Sequence, residues 1–365
     1  MRVLTVCGTR PEIIRLSRII PALDALCEHR LVHTGQNSDP GLSELFFREL
    51  GVRAPDDRLE IASASFAEQL SRVVRGVDAI LEDFRPDRVV ILGDTNSGLA
   101  AIAAARRRIP VLHLEAGNRC YDDRVPEELN RRLIDHASTL LLPYTQRSME
   151  NLVREGIERE RIFVIGNPIF EVLTHYAPRI DGSDVLSRLS LAPGEFLLAT
   201  LHRAENVDDA GRLASLLQAL AASAESLGIP VVLTVHPRTR DRLAAHGLIA
   251  DSAALRLVDP LGFFDFVRLE QTARAVLSDS GTVQEECAIL GRPAVTLRDV
   301  TERPETLECG SNVLAGTSVE DVGRVLRAAL LSSRRWAPPS EYLVPAVSDT
   351  VAKLVVGRLS VRSHR

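Results

Sequence analysis

Ile109-Pro-Val-Leu-His-Leu114 runs directly into Glu115-Ala-Gly-Asn-Arg-Cys120, and Pro126-Glu-Glu-Leu-Asn-Arg-Arg132 follows. The first segment has the near-continuous apolar character of a strand covered on both faces, as in a parallel sheet. The later acidic pair opens a helix behind Pro126, a residue suited to the first helical turn. A strand that ends on a carboxylate, followed by a helix that begins on two more, gathers acids at one rim of a sheet. Open α/β sheets bind ligands at that rim. Acids placed there point to proton transfer.

The same rhythm extends in both directions. Val3–Val6, Val89–Leu92, Thr139–Leu142 and Ile162–Ile165 read as strands. Helical periods lie between them at Arg10–Leu23, Phe66–Leu81, Asn96–Arg107, Glu127–His136 and Gln146–Glu155. Apolar strands alternating with helices make a parallel, doubly wound sheet. The rhythm pauses over Gly166–Gly194, which carries Pro168, Pro178, Gly182 and Pro193. It resumes with strands at Phe196–Thr200, Val231–Val235, Ala254–Val258, Ala275–Ser278 and Ala294–Leu297. The expected architecture is therefore α/β, with two doubly wound parallel-sheet domains facing across a cleft, residues 1–170 and 171–347. The helical segment 348–365 is expected to pack on the first domain. A cleft between two such domains is a common ligand site.

Composition limits the function classes. The chain has 365 residues, 45% hydrophobic and 25% charged, with a net charge of -5. That balance gives no global reason to bind nucleic acid or an anionic membrane. No apolar run reaches the roughly 18 residues of a membrane span, and the N-terminus lacks a signal-peptide pattern. Five widely spaced cysteines without a C-x-x-C pair, and nine histidines without ligand spacing, predict reduced thiols, a cytoplasmic location and no metal.

Five strand ends carry chemistry. Gly8-Thr-Arg-Pro-Glu12 sets Arg10 beside a helix N-terminus, where anions are favoured. Its spacing is not that of the dinucleotide fingerprint. Gly93-Asp-Thr-Asn96 offers Asp94 as an acid/base group or as a helix cap. Glu115 ends an apolar strand ahead of a flexible Ala-Gly; Glu127 and Glu128 either serve chemistry or complement the helix dipole, with Arg131 one turn on. In the second half, His202 follows a strand within Thr200-Leu-His-Arg203. Ser278-Asp-Ser-Gly-Thr-Val-Gln-Glu-Glu286 then places Ser280, Gly281 and Thr282 as an anion cradle at a helix start. Glu286, one turn in, suits the two hydroxyls of a ribose. Arg303 in Thr301-Glu-Arg-Pro-Glu305 suits a phosphate. Together these describe a nucleoside diphosphate site.

Taken in order, these motifs closely resemble the non-hydrolysing UDP-N-acetylglucosamine 2-epimerases, and the matches span almost the whole chain. The resemblance implies two Rossmann-like domains similar to the GT-B glycosyltransferases, with the active site in the interdomain cleft. It implies Asp94, Glu115, Glu127 and His202 as the catalytic set, with Arg10, Arg15 and Arg131 on the sugar side. On the UDP side it implies Ser280, Gly281, Thr282, Glu286, Arg303 and, by packing on the base, Phe266. The implied reaction needs no cofactor. Its partners are a UDP-sugar and UDP, and relatives imply a homodimer, the commonest closed assembly.

The chain also departs from the commoner family pattern. Arg15 replaces a lysine, which alters reach and hydrogen-bond geometry. Asn118-Arg119-Cys120 and Arg124-Val-Pro-Glu127 resemble the branch that forms UDP-N-acetyl-L-fucosamine from UDP-linked deoxy-aminosugars. Gly35-Gln-Asn-Ser-Asp39 lacks the Gln-His segment with which some relatives bind an activating UDP-N-acetylglucosamine. Three rivals remain at this stage: a glycosyltransferase, a hydrolysing epimerase and a UDP-sugar-binding protein without turnover. Asp94, Glu115 and Glu127 speak against transfer, since moving a sugar does not require acids around C2.

Overall fold

Arg88–Leu92 and Val111–Leu114 are buried at every residue. Only strands with helices on both faces allow that. A computed structural model of the chain describes residues 1–36, 40–63, 65–248, 254–331 and 336–358. The chain divides into two compact units, Met1–Leu173 with Glu341–Arg365, and Thr174–Ser340.

The first unit is built on six parallel strands: β1 Arg2–Cys7, β2 Glu28–His33, β3 Asp57–Arg58, β4 Arg88–Leu92, β5 Val111–Leu114 and β6 Leu140–Leu142. Their order is β3-β2-β1-β4-β5-β6. One face is sealed by Val73 and Val77 of the helix Phe66–Phe84 and by Ala100 and Ala104, packed on Leu4, Val6, Val89 and Ile91. The helix Val347–Val356 also belongs to this unit. Ser348 N donates to Glu171 at 2.8 Å, and the Arg88 guanidinium donates to the carbonyls of Leu354 and Gly357.

The second unit repeats the plan with β7 Leu197–Leu201, β8 Val231–Val235, β9 Leu255–Val258, β10 Val276–Ser278, β11 Ala294–Thr296 and β12 Asn312–Leu314. Its order, β12-β11-β10-β7-β8-β9, is the first sheet's order read from the other edge. Leu213, Leu216 and Leu220 of the helix Ala210–Leu227 pack with Val322 and Leu326 over Leu197, Val231 and Leu277. The α/β, doubly wound architecture expected from the sequence is thus present twice.

Several local expectations are corrected. The stretch Gly166–Gly194 holds the helices Ile169–Asp181 and Val185–Arg188. Ile169, Val172, Leu173, Tyr176 and Ile180 are buried at helical spacing, a period outweighed in the sequence by its prolines and glycines. Ile162–Ile165 is no strand; it contributes a single bridge, Leu141 to Ile162. The helical run Arg10–Leu23 breaks into Arg10–Leu16 and Ile19–Asp24. Asn37, Ser38 and Asp39 of the segment read as lacking the activator-binding pattern lie outside the described residues.

Candidate active site

In the first sheet the strand order reverses between β1 and β4. The turns that leave their carboxyl ends carry Gly8-Thr9-Arg10 and Gly93-Asp94-Thr95. Glu12 ties the two turns together. Its carboxylate accepts from Gly8 N at 2.5 Å, Thr9 N at 3.2 Å and the Thr95 hydroxyl at 2.6 Å. Burial raises the Glu12 carboxyl to about 7 against these donors, and Asp94 adds repulsion. Sequence reading left Glu12 out of the site.

Asp94 accepts from Arg131 Nε at 2.8 Å, and Arg131 reaches on to Glu128 at 2.7 Å. Glu128 is fully buried and also accepts from the backbone N–H of Cys120 and of Tyr121, each at 3.1 Å. Burial alone would raise the Glu128 carboxyl; these donors and Arg131 hold it below its ordinary value. Of the acidic pair, Glu128 therefore anchors the loop that follows Glu115, while Glu127 is half-buried. Glu115 itself adopts φ 69°, unusual for a residue with a side chain. Its carboxylate accepts from Asn118 Nδ2 at 3.2 Å and lies 4.0 Å from Arg15 Nε. A Cβ placed on Gly93 would stand 3.9 Å from that carboxylate, so Glu115 flanks the Asp94 turn. Arg10 sits over the Phe46 ring, 5.8 Å from its centre. Asp94, Glu115, Arg15 and Arg131 are thus brought together on one rim.

A buried polar scaffold beneath this rim went unnoticed in the sequence. His113, on β5, places Nε2 2.8 Å from the Gly93 carbonyl and Nδ1 2.8 Å from Asp135. Asp135 also accepts from Gly117 N at 3.2 Å and from Arg119 at 2.7 Å, and Arg119 pairs with Glu155. One chain of contacts therefore sets both acid-bearing turns. The available signal was a histidine inside an apolar strand, since a buried polar group requires partners.

The second sheet reverses between β7 and β10, and its turns carry His202-Arg203 and Asp279-Ser280-Gly281. Asp279 is fully buried. It accepts from His202 N at 3.0 Å, Arg203 N at 3.0 Å and Asn206 Nδ2 at 3.1 Å, with His202 Nδ1 at 3.0 Å. Burial would raise this carboxyl; His202 and the backbone donors overcome it and hold it at about 2. The His202 side chain keeps 35% of its surface exposed. Ser280 precedes the helix Gly281–Leu290, and its hydroxyl lies 3.0 Å from that of Thr282. A side chain at Gly281 would meet the Glu302 carboxylate at 2.5 Å. Glu302 accepts from Arg298 at 2.7 Å and Arg203 at 3.3 Å. Arg303 is buried and donates to Glu285 beside the same helix start, a bracing contact that the sequence did not reveal. Phe266 is half-buried against the apolar cluster of Val283 and Cys287, and Glu286 is buried. His202, Ser280, Gly281, Thr282 and Arg303 thus converge on one strand-to-helix corner.

The family model described as UDP-N-acetylglucosamine 2-epimerase matches residues 22–355. The UDP-N-acetylglucosamine 2-epimerase of Methanocaldococcus jannaschii is 38% identical over 93% of this chain and 95% of its own length. The UDP-2,3-diacetamido-2,3-dideoxy-D-glucuronate 2-epimerase of Pseudomonas aeruginosa is 38% identical over 90% of this chain and 92% of its own length. The crystal structure of the M. jannaschii enzyme in complex with UDP-GlcNAc and UDP superposes with a TM-score of 0.93 at 35% identity, covering 98% of this chain and 99% of that one.

Proposed function

This chain belongs to the UDP-N-acetylglucosamine 2-epimerase family, and on that premise we propose that it inverts C2 of a UDP-N-acetylhexosamine, interconverting UDP-GlcNAc and UDP-ManNAc. The reading is carried by the whole-length similarity to the M. jannaschii enzyme, and the acids at the β4 and β5 strand ends supply its chemistry.

The proton on C2 of an N-acetyl sugar has no adjacent carbonyl to acidify it. Departure of UDP from C1 solves this. As the C1–O bond breaks, oxocarbenium character develops and C2–H becomes removable by a carboxylate. The products are a 2-acetamidoglycal and UDP. UDP then re-adds at C1 while a proton arrives on the opposite face of C2. Groups are needed on both faces, and Asp94, Glu115 and Glu127 fill that need. Arg131 and Arg15 steer the acids, while Arg10, His202 and the Ser280–Thr282 turn offset charge on the leaving diphosphate. Glu286 receives the ribose hydroxyls, Phe266 packs on the base, and Arg303 braces the corner. No cofactor enters the scheme. All five cysteines are free thiols, in keeping with a cytoplasmic enzyme, and a symmetric homodimer is the assembly to look for by light scattering.

The deciding experiment runs the reaction in heavy water and follows C2 by NMR. One deuterium at C2 of the epimer, with UDP retained on the sugar, is the expected result. Free N-acetylmannosamine with released UDP would replace the proposal by a hydrolysing epimerase. Transfer of the sugar to an acceptor would replace it by a glycosyltransferase, and binding without any exchange would leave only a UDP-sugar-binding protein. A second reading is favoured by the loop Asn118–Glu127 and by the equal 38% identity to the P. aeruginosa epimerase: the sugar carries altered C3 or C6 substituents. Exchange confined to a 6-deoxy or 2,3-diacetamido donor identifies that branch.

A further inference from the structure

Glu270 plays no part in the scheme above, yet it is a fully buried carboxyl next to a proposed ligand-binding one. It lies on the helix Phe263–Thr272, which packs against Gly281–Leu290, the helix that carries Glu286. Glu270 is 0% exposed and Glu286 5%. Neither Glu270 oxygen receives a hydrogen bond from an N–H donor among the described residues. Among the described residues no cation offsets Glu270. On its own helix, Asp265 is engaged by Ser183 and Arg188, and Arg268 by Asp181. Across the contact stand Glu286 and the buried thiol of Cys287. Arg292 acts on Cys287 and does not offset Glu270.

Two carboxylates cannot both ionise in so little water, so the pair must hold a proton. The charge settles on the member nearer solvent, Glu286, because ionising the deeper group costs more desolvation. Burial, then the Glu286 charge, keeps the Glu270 carboxyl well above its ordinary value. We propose that Glu270 is a positioning residue for ribose recognition: it stays a neutral acid and donates a hydrogen bond to Glu286, which helps hold Glu286 as an anionic acceptor aimed at two vicinal hydroxyls. This rests on the UDP reading given above for Glu286. It adds a buried hydrogen-bond donor to that carboxylate.

Two measurements test it. The infrared difference spectrum of ligand-free wild type minus Glu270→Gln at neutral pH should contain the C=O stretch of a protonated buried carboxyl, the band of Glu12 cancelling because both proteins carry it. Calorimetry then compares UDP with 2′-deoxyuridine diphosphate. The wild type should prefer UDP, and Glu270→Gln should keep the preference because its amide N–H still donates to Glu286. Glu270→Leu should lose about tenfold of it, the scale of one charge-assisted hydrogen bond. At alkaline pH the wild-type preference should fall while that of Glu270→Gln stays flat. Absence of the carboxyl band from that difference spectrum overturns the proposal without reference to any nucleotide, and so does an unchanged preference in Glu270→Leu. A wild type that ignores the 2′-hydroxyl while still exchanging deuterium at C2 overturns the ribose role alone. Loss of both UDP binding and exchange overturns the function on which it rests. Should Glu270→Leu fail to fold, the infrared band and the pH dependence of Glu270→Gln still decide.

Discussion

Asp279 holds His202 twice, through the backbone N–H at 3.0 Å and through ring Nδ1 at 3.0 Å. That double contact fixes the plane of the imidazole and assigns its far nitrogen to whatever binds at the corner. Replacing Asp279 with Asn keeps the shape, but one of its two acceptors becomes a donor facing the backbone N–H groups of His202 and Arg203. For Asp279→Asn we expect kcat for epimerisation to fall about 10²–10⁴-fold, as for loss of acid–base assistance, with a much smaller change in KM. The carboxyl, held at about 2 against an ordinary value of 3.8, contributes about 2 kcal/mol of stability above pH 4. That contribution is lost as pH falls through 2, so urea titrations from pH 5 to 2 should converge for wild type and Asp279→Asn. An unaltered kcat would remove His202 from the catalytic set.

Glu127 and Glu128 should separate cleanly. Glu128 is buried and answers two backbone N–H groups and two arginines. Removing its carboxylate takes away the buried acceptor that Arg131 and the two backbone N–H groups share, a loss of about 3–5 kcal/mol. Glu127 is half-buried and Gln keeps its shape, so Glu127→Gln should change unfolding free energy by about 1 kcal/mol or less, well short of the Glu128 loss. The same variant should lower deuterium exchange at C2 by about 10²–10⁴-fold. Chemical denaturation and NMR exchange on Glu127→Gln and Glu128→Ala check both halves; a stable, inactive Glu128 variant would reverse the assignment.

Gly117 shows how closely the acid-bearing loop approaches the rest of the unit. Its φ is 79°, and a Cβ there would stand 2.2 Å from the Ser148 carbonyl oxygen. Gly117→Ala should cost at least about 2 kcal/mol through overpacking and left-handed strain. Gly156, at φ 87° with nothing within 4 Å of the same Cβ position, isolates the backbone part. Thermal or urea unfolding of the two alanine variants gives the steric part by difference. Equal losses at both sites would mean that the loop can move away.

Two acids of the proposed site were legible because each closely follows an apolar run: Asp94 after β4 and Glu115 after β5. A strand end at the rim of a parallel sheet has a known address. What tertiary packing decides was not legible. Neighbouring helical residues point about 100° apart, so whether Glu127 or Glu128 turns inward depends on how the helix Pro126–Ala137 seats on its unit. Glu270 reads in sequence like any polar helical position. The strand β2 was hidden because Glu28-His29-Arg30 lacks an apolar pattern; His29 and Arg30 are instead satisfied by Asp24, Thr5, Asp57 and Asp83. Arg303 suited a phosphate by position, and only the fold shows Glu285 beside it.

Glu12 makes the fold itself sensitive to pH near neutrality. Its carboxyl is raised from 4.5 to about 7, chiefly by burial. A raised folded-state value means that the native protein holds this proton more tightly than the unfolded chain does. The associated stability is complete below pH 4.5 and is lost as pH rises through 7. The shift corresponds to about 3 kcal/mol. Other groups titrate in the same window, so the quantity to measure is the difference between wild type and Glu12→Gln in urea unfolding from pH 4.5 to 8. The wild type should lose about 3 kcal/mol relative to the variant over that range. Because the Gly8 and Thr95 turns both hang on this carboxyl, Glu12→Gln should also lower kcat. A pH-independent difference would mean that Glu12 stays ionised throughout, with its three donors outweighing burial.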